Sequence, residues 1–511
     1  MQDDEIFELY KPLKNSLRQT EVYDTLRVLW AYTQNLQFDK AIPSDIQVFE
    51  QSHQSRRISM PEWELETLMR EAIINCQENL ASFRTLKMWN YFSNTINKLR
   101  DLENGIAAKY VNKDTIFNEF FRLAHRQFHW QSPPNKRDII RYFKIFNYPT
   151  ISNIVENNVG LTTEQLYLMG FLVWGHFIDN FSLTFPIQIL DVPEVSSQDL
   201  GKFINCFSED FSNIKKICLE NQEMNEKFVY ALFPLRFYPL IKTNYLGKDS
   251  LICPSPSLFV WRLTGGLYYD ICRKKNFDNE FGKSFQKYVG EVLKVGGAGN
   301  IGVIPEEEFL DGKNRKDTVD WIAEDKESAI FIECKAKRIT LMTKTELEVA
   351  NGLEKDLDIL AEAVMQLYKN IRYYGENKYP SYKLNSKKIF PLVVTLEDWH
   401  LFGKILEILN QRVEKGLKDL NLPLQLLIDY PYAICSVRDL EIMVQIMATT
   451  GIKDFMDKKL NSEKREWEFK PFMLEVYKDE ITNVKLLFED DFFSIFPERI
   501  NLRQNIKREN S

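Results

Sequence analysis

The sequence predicts an α/β protein in three parts: a mainly helical stretch, residues 1–250; a unit of alternating strands and helices, 251–450; and a charged helical extension, 451–511. Three observations carry this. Up to about residue 250, apolar residues recur every three or four positions, the period of a helix with one buried face. Beyond about residue 280, short β-prone apolar runs alternate with amphipathic stretches, as in a sheet covered by helices. The chain of 511 residues, 44% hydrophobic and 27% charged, is long enough to bury its cores without disulfide or metal staples.

In the helical part, Pro61-Glu62 marks a helix start with Ser59 as a candidate cap. Leu65, Leu68, Met69, Ala72, Ile73 and Cys76 continue it, and Phe83, Leu86, Trp89, Phe92, Ile96 and Leu99 repeat the period. The two sets form one long helix or two stacked ones. Trp63, Trp89 and Trp130 keep the same spacing and read as core. Ser132-Pro133-Pro134-Asn135 and Asp191-Val192-Pro193 interrupt the pattern. The apolar run 166–178 falls short of the roughly 20 residues of a membrane span, so it reads as a buried helix with His176 as a satisfied core residue. Near Phe237-Tyr238-Pro239-Leu240 the texture changes; with Pro254 and Pro256 close by, 258–263 reads as strand or turn. A helix over about 279–294 follows, then three strands, a helix over about 352–374, a strand at 389–395, a helix, a strand at 432–437 and a last helix.

Charge and cysteine usage narrow the function. With 66 Lys+Arg against 73 Asp+Glu the net charge is −7, which excludes coating nucleic acid by bulk charge and leaves room for a local basic groove. The acidic N-terminus lacks the apolar core of a secretory signal. Seven scattered cysteines without a CxxC pair point to reduced thiols. A cytoplasmic protein without a membrane segment is expected.

The chemistry concentrates in Asp317-Thr318-Val319-Asp320-Trp321-Ile322-Ala323, the polar turn Glu324-Asp325-Lys326-Glu327-Ser328, and Ala329-Ile330-Phe331-Ile332-Glu333-Cys334-Lys335. Two β-prone runs around a short polar loop predict an antiparallel hairpin. With the turn near Lys326, Asp320 falls opposite Ile332 or Glu333. Side chains at i and i+2 share a strand face, so Glu333 and Lys335 point one way while Ile332, Cys334 and Ala336 face the packed side. Two neighbouring carboxylates repel, and a hard divalent cation relieves that conflict while binding phosphate oxygens. An adjacent ammonium positions water and offsets charge developing at phosphorus. Together these suit metal-assisted phosphodiester hydrolysis. Lys313, Arg315 and Lys316 before the hairpin, and Lys337, Arg338 and Lys344 after it, are candidate phosphate contacts.

Asp320 followed by Glu333-Cys334-Lys335 resembles the motif of the PD-(D/E)XK nuclease superfamily, although Val319 stands where the motif has Pro. Asp317 is a rival for the first acid; it sits before the apolar run, so Asp320 is preferred. The resemblance covers about 270–440. It implies a restriction-endonuclease-like mixed-sheet core flanked by helices, with a Glu on the preceding helix, matched by Glu291, and a Gln on the following helix, matched by Gln366. It further implies Mg2+ (with Mn2+ as a substitute) held by Asp320, Glu333, Glu291 and the Cys334 carbonyl, with Lys335 activating water. Gln366 supports substrate or Lys335. The expected substrate is DNA rather than RNA, and fusions of this kind act in bacterial anti-phage defence, the helical region sensing a trigger or binding a protein partner. Two alternatives stand beside this: a nucleic-acid-binding or scaffold module with an inactive site, or a sensor whose nuclease is silent until triggered.

Other motifs carry less. Glu324-Asp325-Lys326, Glu376-Asn377-Lys378 and Glu468-Phe469-Lys470 repeat the ExK spacing outside an apolar strand. The GxGxxG match at 297–302 follows a helix rather than a strand, so a turn is expected and no dinucleotide site. Gly282-Lys283-Ser284 lacks the first glycine of a phosphate loop. His125 and His129 have zinc-pair spacing, but Arg126 follows the first and no third ligand is evident, so packing or surface roles are expected.

Overall fold

The computed structural model describes residues 4–48, 59–81, 84–131, 135–187, 195–339, 344, 351–383 and 387–494. Phe83 and the breaks at 132–134 and 191–193 lie outside the described residues. The described chain is mixed α/β and divides into two compact units: 4–119, 123–275 and 489–494 make one, 120–122 and 276–488 the other. No described helix is long and apolar enough to cross a membrane.

The first unit is helical, as its periodicity predicts. Glu62–Asn75 and Trp89–Tyr110 are two separate helices, the first entered from Pro61 without a side-chain cap. Leu26, Leu29, Leu65, Leu68, Leu99 and Leu102 meet in a solvent-free core, with Trp63 and Trp89 packed on it and Trp130 inside. Some buried polar groups there are paired: the Tyr10 hydroxyl donates to Glu71 (2.7 Å) and the Arg70 Nε donates to the same carboxylate (3.0 Å). His176 meets the Ser182 carbonyl (2.9 Å), and His129 turns its Nδ1 to the carbonyl of His125 (3.3 Å).

Periodicity does not announce a small sheet of β1 (Ser182–Thr184), β2 (Ser208–Asp210), β3 (Leu240–Tyr245) and β4 (Lys248–Ile252), in the order β1-β4-β3-β2. Its hairpin turns at Leu246 and Gly247, both at positive φ (52° and 78°), the conformation a two-residue hairpin loop requires. The expected strand or turn at 258–263 is instead part of a helix, Pro256–Leu263. Ser255 caps it by accepting from the Leu258 N–H, and Pro256 begins it. Nearly every side chain of this helix is buried, so no polar face betrays its period.

In the second unit the helix Phe277–Gly296 leads into β5 (Gly302–Pro305) through a turn in which Ala298 and Gly299 take positive φ. A ribbon of β6 (Glu308–Asp311) and β7 (Asn314–Asp317) follows, then β8 (Trp321–Glu324) and β9 (Ser328–Lys335). The helix Asn351–Gly375, β10 (Lys388–Thr395), the helix Lys404–Asp419, β11 (Ala433–Ser436) and the helix Val437–Thr450 complete the layer. The sheet order is β11-β10-β9-β8-β5, with β9, β10 and β11 parallel and β8 and β5 antiparallel.

Because β9 is central, both faces of Ser328–Ile332 are buried and its sequence reads as a continuous apolar run. Ala329 and Phe331 pack with Leu357, Leu360, Val364 and Leu367 of the helix Asn351–Gly375. On the other face the helix Phe277–Gly296 comes so near that a Cβ on Gly290 would stand 2.1 Å from Cζ2 of Trp321. The indole N–H of Trp321 donates to the Gln286 carbonyl (2.8 Å), locking β8 to this helix. The expectation that only the Cys334 face is packed is therefore corrected: Glu333 itself is 6% exposed, because a helix lies over each face.

Candidate active site

The β8–β9 hairpin closes through Asp325, whose N–H donates to the Ser328 carbonyl (3.0 Å) and whose carboxylate accepts from the N–H groups of Glu327 and Ser328 (both 2.9 Å). The pairing of Trp321 with Ile332 and Ile322 with Phe331 sets the register. One step further along, Asp320 stands across from Glu333, one of the two positions expected for it. The Asp320 carboxylate accepts the backbone N–H of Cys334 at 2.6 Å. The rival Asp317 ends β7 opposite Glu308, exposed.

The strand alternation that places Phe331 under the helix Asn351–Gly375 carries Glu333 and Lys335 to that face. Lys335 Nζ donates to Gln366 Oε1 of this helix at 2.7 Å and lies 3.7 Å from Glu333 Oε2. Asp320, Glu333, Cys334, Lys335 and Gln366 are thus joined by direct contacts or neighbouring strand positions. Glu291 sits half-buried on the helix Phe277–Gly296. A further carboxylate whose repulsion reaches Glu333 is Glu306, just past β5. Its N–H donates to the Asp320 carbonyl (3.1 Å), and its carboxylate accepts from Gln286 (3.1 Å). Sequence reading misses Glu306 because it opens the run Glu306-Glu307-Glu308, indistinguishable from a solvated loop. The signal is its place after the short apolar run 302–305.

Electrostatics mark the carboxylates as a strained pair. Burial pushes the Glu333 carboxyl well above the usual range, repulsion from Asp320 and Glu306 adds to this, and Lys335 offsets only part. Asp320 is raised as well, chiefly by burial, against the lowering effects of the Cys334 N–H and Lys335. Burial and the two carboxylates hold the Cys334 thiol protonated, its pKa well above the ordinary value. Cys334 therefore offers the site its backbone, not a thiolate.

A divalent cation would relieve this repulsion. The pair fits an ion held by two carboxylates and completed by water and phosphate oxygens. It does not fit an all-protein cage, because among the described residues no group of three or more His, Cys, Asp or Glu side chains is disposed to hold a metal.

The flanking cations separate into two classes. Lys313, Arg315 and Lys316 lie exposed on the β6–β7 ribbon, with Arg315 paired to Glu308 (3.1 Å), and Lys337 is exposed after β9. Arg338 and Lys344, expected as phosphate contacts, are instead held by Glu397, at 3.3 and 2.9 Å. A carboxylate already neutralises them.

Comparison with protein-family models, with curated proteins and with solved structures finds no significant match to this chain.

Proposed function

We propose that the 276–488 unit is a metal-dependent nuclease of the PD-(D/E)XK kind, built on a restriction-endonuclease-like core, that hydrolyses phosphodiester bonds in DNA. The observation that carries this reading is the placing of Asp320, Glu333 and Lys335 on paired strands, with Lys335 tied to Gln366 at 2.7 Å. A buried carboxylate pair beside an ammonium is a costly arrangement for stability alone, and one suited to phosphoryl chemistry.

Asp320 and Glu333 would hold Mg2+, which when bound screens phosphate charge and makes water a better nucleophile. Lys335 orients the attacking water and donates to a phosphoryl oxygen as negative charge develops there. Gln366 keeps the ammonium in that place. Glu306, whose charge reaches Glu333, helps to orient that water. One P–O ester bond breaks and one water is consumed, leaving a phosphate monoester and a hydroxyl. Exposed Lys313, Lys316 and Lys337 contact flanking phosphates.

The test is incubation of the pure full-length protein with plasmid, linear DNA and RNA, in Mg2+ or in EDTA. The reading expects DNA cleavage in Mg2+ alone. Equal cleavage in EDTA, or cleavage of RNA only, contradicts it.

A further inference from the structure

The same unit holds a crevice of about 430 Å3, and Thr395 in its wall stands opposite Lys335 in the β9–β10 register. It opens beyond Thr395 and Ser436, the last residues of the parallel strands β10 and β11. Ligands of α/β sheets gather at the carboxyl ends of parallel strands, and small-molecule sites begin at roughly 300 Å3. The lining mixes apolar side chains such as Leu406, Leu427 and Phe469 with charged ones. Along the wall, carboxyl side chains outnumber those of lysine and arginine five to two. One of the two, Lys459, already donates its Nζ to the carbonyls of Lys464 (3.1 Å) and Arg465 (2.5 Å).

Four features in the wall point to a ligand. His400 holds a left-handed φ of 48°, a conformation that costs a non-glycine residue on the order of 1 kcal/mol or more and gathers at functional sites. Its Nδ1 meets Glu468 Oε1 at 2.7 Å. Next to it Trp399 is 4% exposed, and its indole N–H finds no acceptor among the described residues. Asp439, 6% exposed, faces the charges of Asp398 and Glu468. Trp467, 44% exposed, lies on the same wall, with the Lys464 ammonium over one face of its ring at 5.4 Å and the other face left for a ligand.

We propose that this crevice, one strand over from Lys335, binds a planar nucleobase bearing an exocyclic amino group. Carboxylates of the wall accept hydrogen bonds from the amino group, the Trp399 indole N–H donates to a ring acceptor of the same base, and Trp467 stacks on the ring. A base that presents a carbonyl in place of the amino group sets an acceptor against an acceptor. This site does not depend on the nuclease reading.

The experiment titrates cytidine, adenosine, uridine and spermidine into the full-length protein in EDTA, so that no cleavage intervenes, with calorimetry as the readout. Cytidine and adenosine are expected to bind saturably, with uridine weaker by about tenfold or more. Trp467→Ala, a change at a half-open surface position, should keep the melting temperature and lose the binding. Asp398→Asn should weaken cytidine by about tenfold. The proposal is overturned if cytidine and adenosine show no saturable binding at millimolar concentration. It is equally overturned if uridine binds as tightly, if spermidine alone binds, or if folded Trp467→Ala binds cytidine unchanged.

Discussion

At the scale of single residues, the contact between Lys335 and Gln366 decides where a positive charge sits. An ammonium on a flexible stem is held by Gln366 Oε1 at 2.7 Å while Glu333 waits at 3.7 Å. Removing the charge in Lys335→Met should lower cleavage by roughly 10²–10³-fold with the fold intact, the usual loss for one electrostatic stabiliser of a transition state. Gln366→Leu leaves the charge and frees its position, so a smaller loss is expected, about tenfold or 1.4 kcal/mol. Initial cleavage rates of the two variants check this order, and an equal loss in both would assign Gln366 a direct role. Divalent-ion binding to the carboxylate pair predicts a second effect. Saturating Mg2+ should raise the melting temperature of the wild type, since a ligand that binds only the folded state stabilises it. Asp320→Asn should blunt that rise in a thermal melt.

At the scale of elements, two side-chain arrangements hold the hairpin between its covering helices. The Trp321 ring occupies the space a side chain at position 290 would need, so Gly290→Val forces helix and β8 apart. The expected cost is roughly 1–3 kcal/mol, read from denaturant unfolding, as for other overpacked cores. After β9, Glu397 gathers Arg338, Lys344 and the N–H of Ile339 (2.9 Å). Burial raises its carboxyl, but Lys344 and Arg338 outweigh this, and the pKa falls below the ordinary value. A carboxyl with a depressed folded pKa adds stability above its unfolded pKa and loses it as pH falls through the folded one. Glu397→Gln should therefore destabilise the protein at neutral pH, and the gap to wild type should close in acid. Unfolding curves across that pH range provide the measurement.

These elements also explain what is legible in the residues alone. The hairpin, β10 and β11 follow from short β-prone apolar runs, the helices Phe277–Gly296 and Asn351–Gly375 from helical periodicity, and the placing of Asp320 near Glu333 from the turn near Lys326. Pro256–Leu263 escapes such reading because complete burial erases the helical period. Arg338 and Lys344 pass for phosphate contacts because their partner Glu397 lies distant in sequence, brought near only when β10 pairs with β9. Glu306 is hidden for a related reason: only the antiparallel pairing of β5 with β8 turns a loop acid into a neighbour of Asp320.

At the scale of the whole molecule, a net charge of −7 means that DNA can be held only by local cations. The exposed β6–β7 ribbon, a few residues before Asp320, supplies Lys313 and Lys316. Removing one cation from a phosphate should flatten the slope of log affinity against log salt by about 0.9, so Lys313→Gln with Lys316→Gln should flatten it by about twice that. Fluorescence anisotropy of a labelled duplex with added Ca2+ in place of Mg2+ reads the slope. An unchanged slope would remove the ribbon from the DNA path.

The whole account turns on whether Glu333 takes part in bond cleavage. Supercoiled plasmid incubated in Mg2+ with equal amounts of wild-type and Glu333→Ala protein, both shown to be folded, decides it. Nicked or linear DNA from the wild type and intact plasmid from the variant is the predicted result. Equal conversion by both proteins, or none by the wild type under any divalent ion, would contradict it.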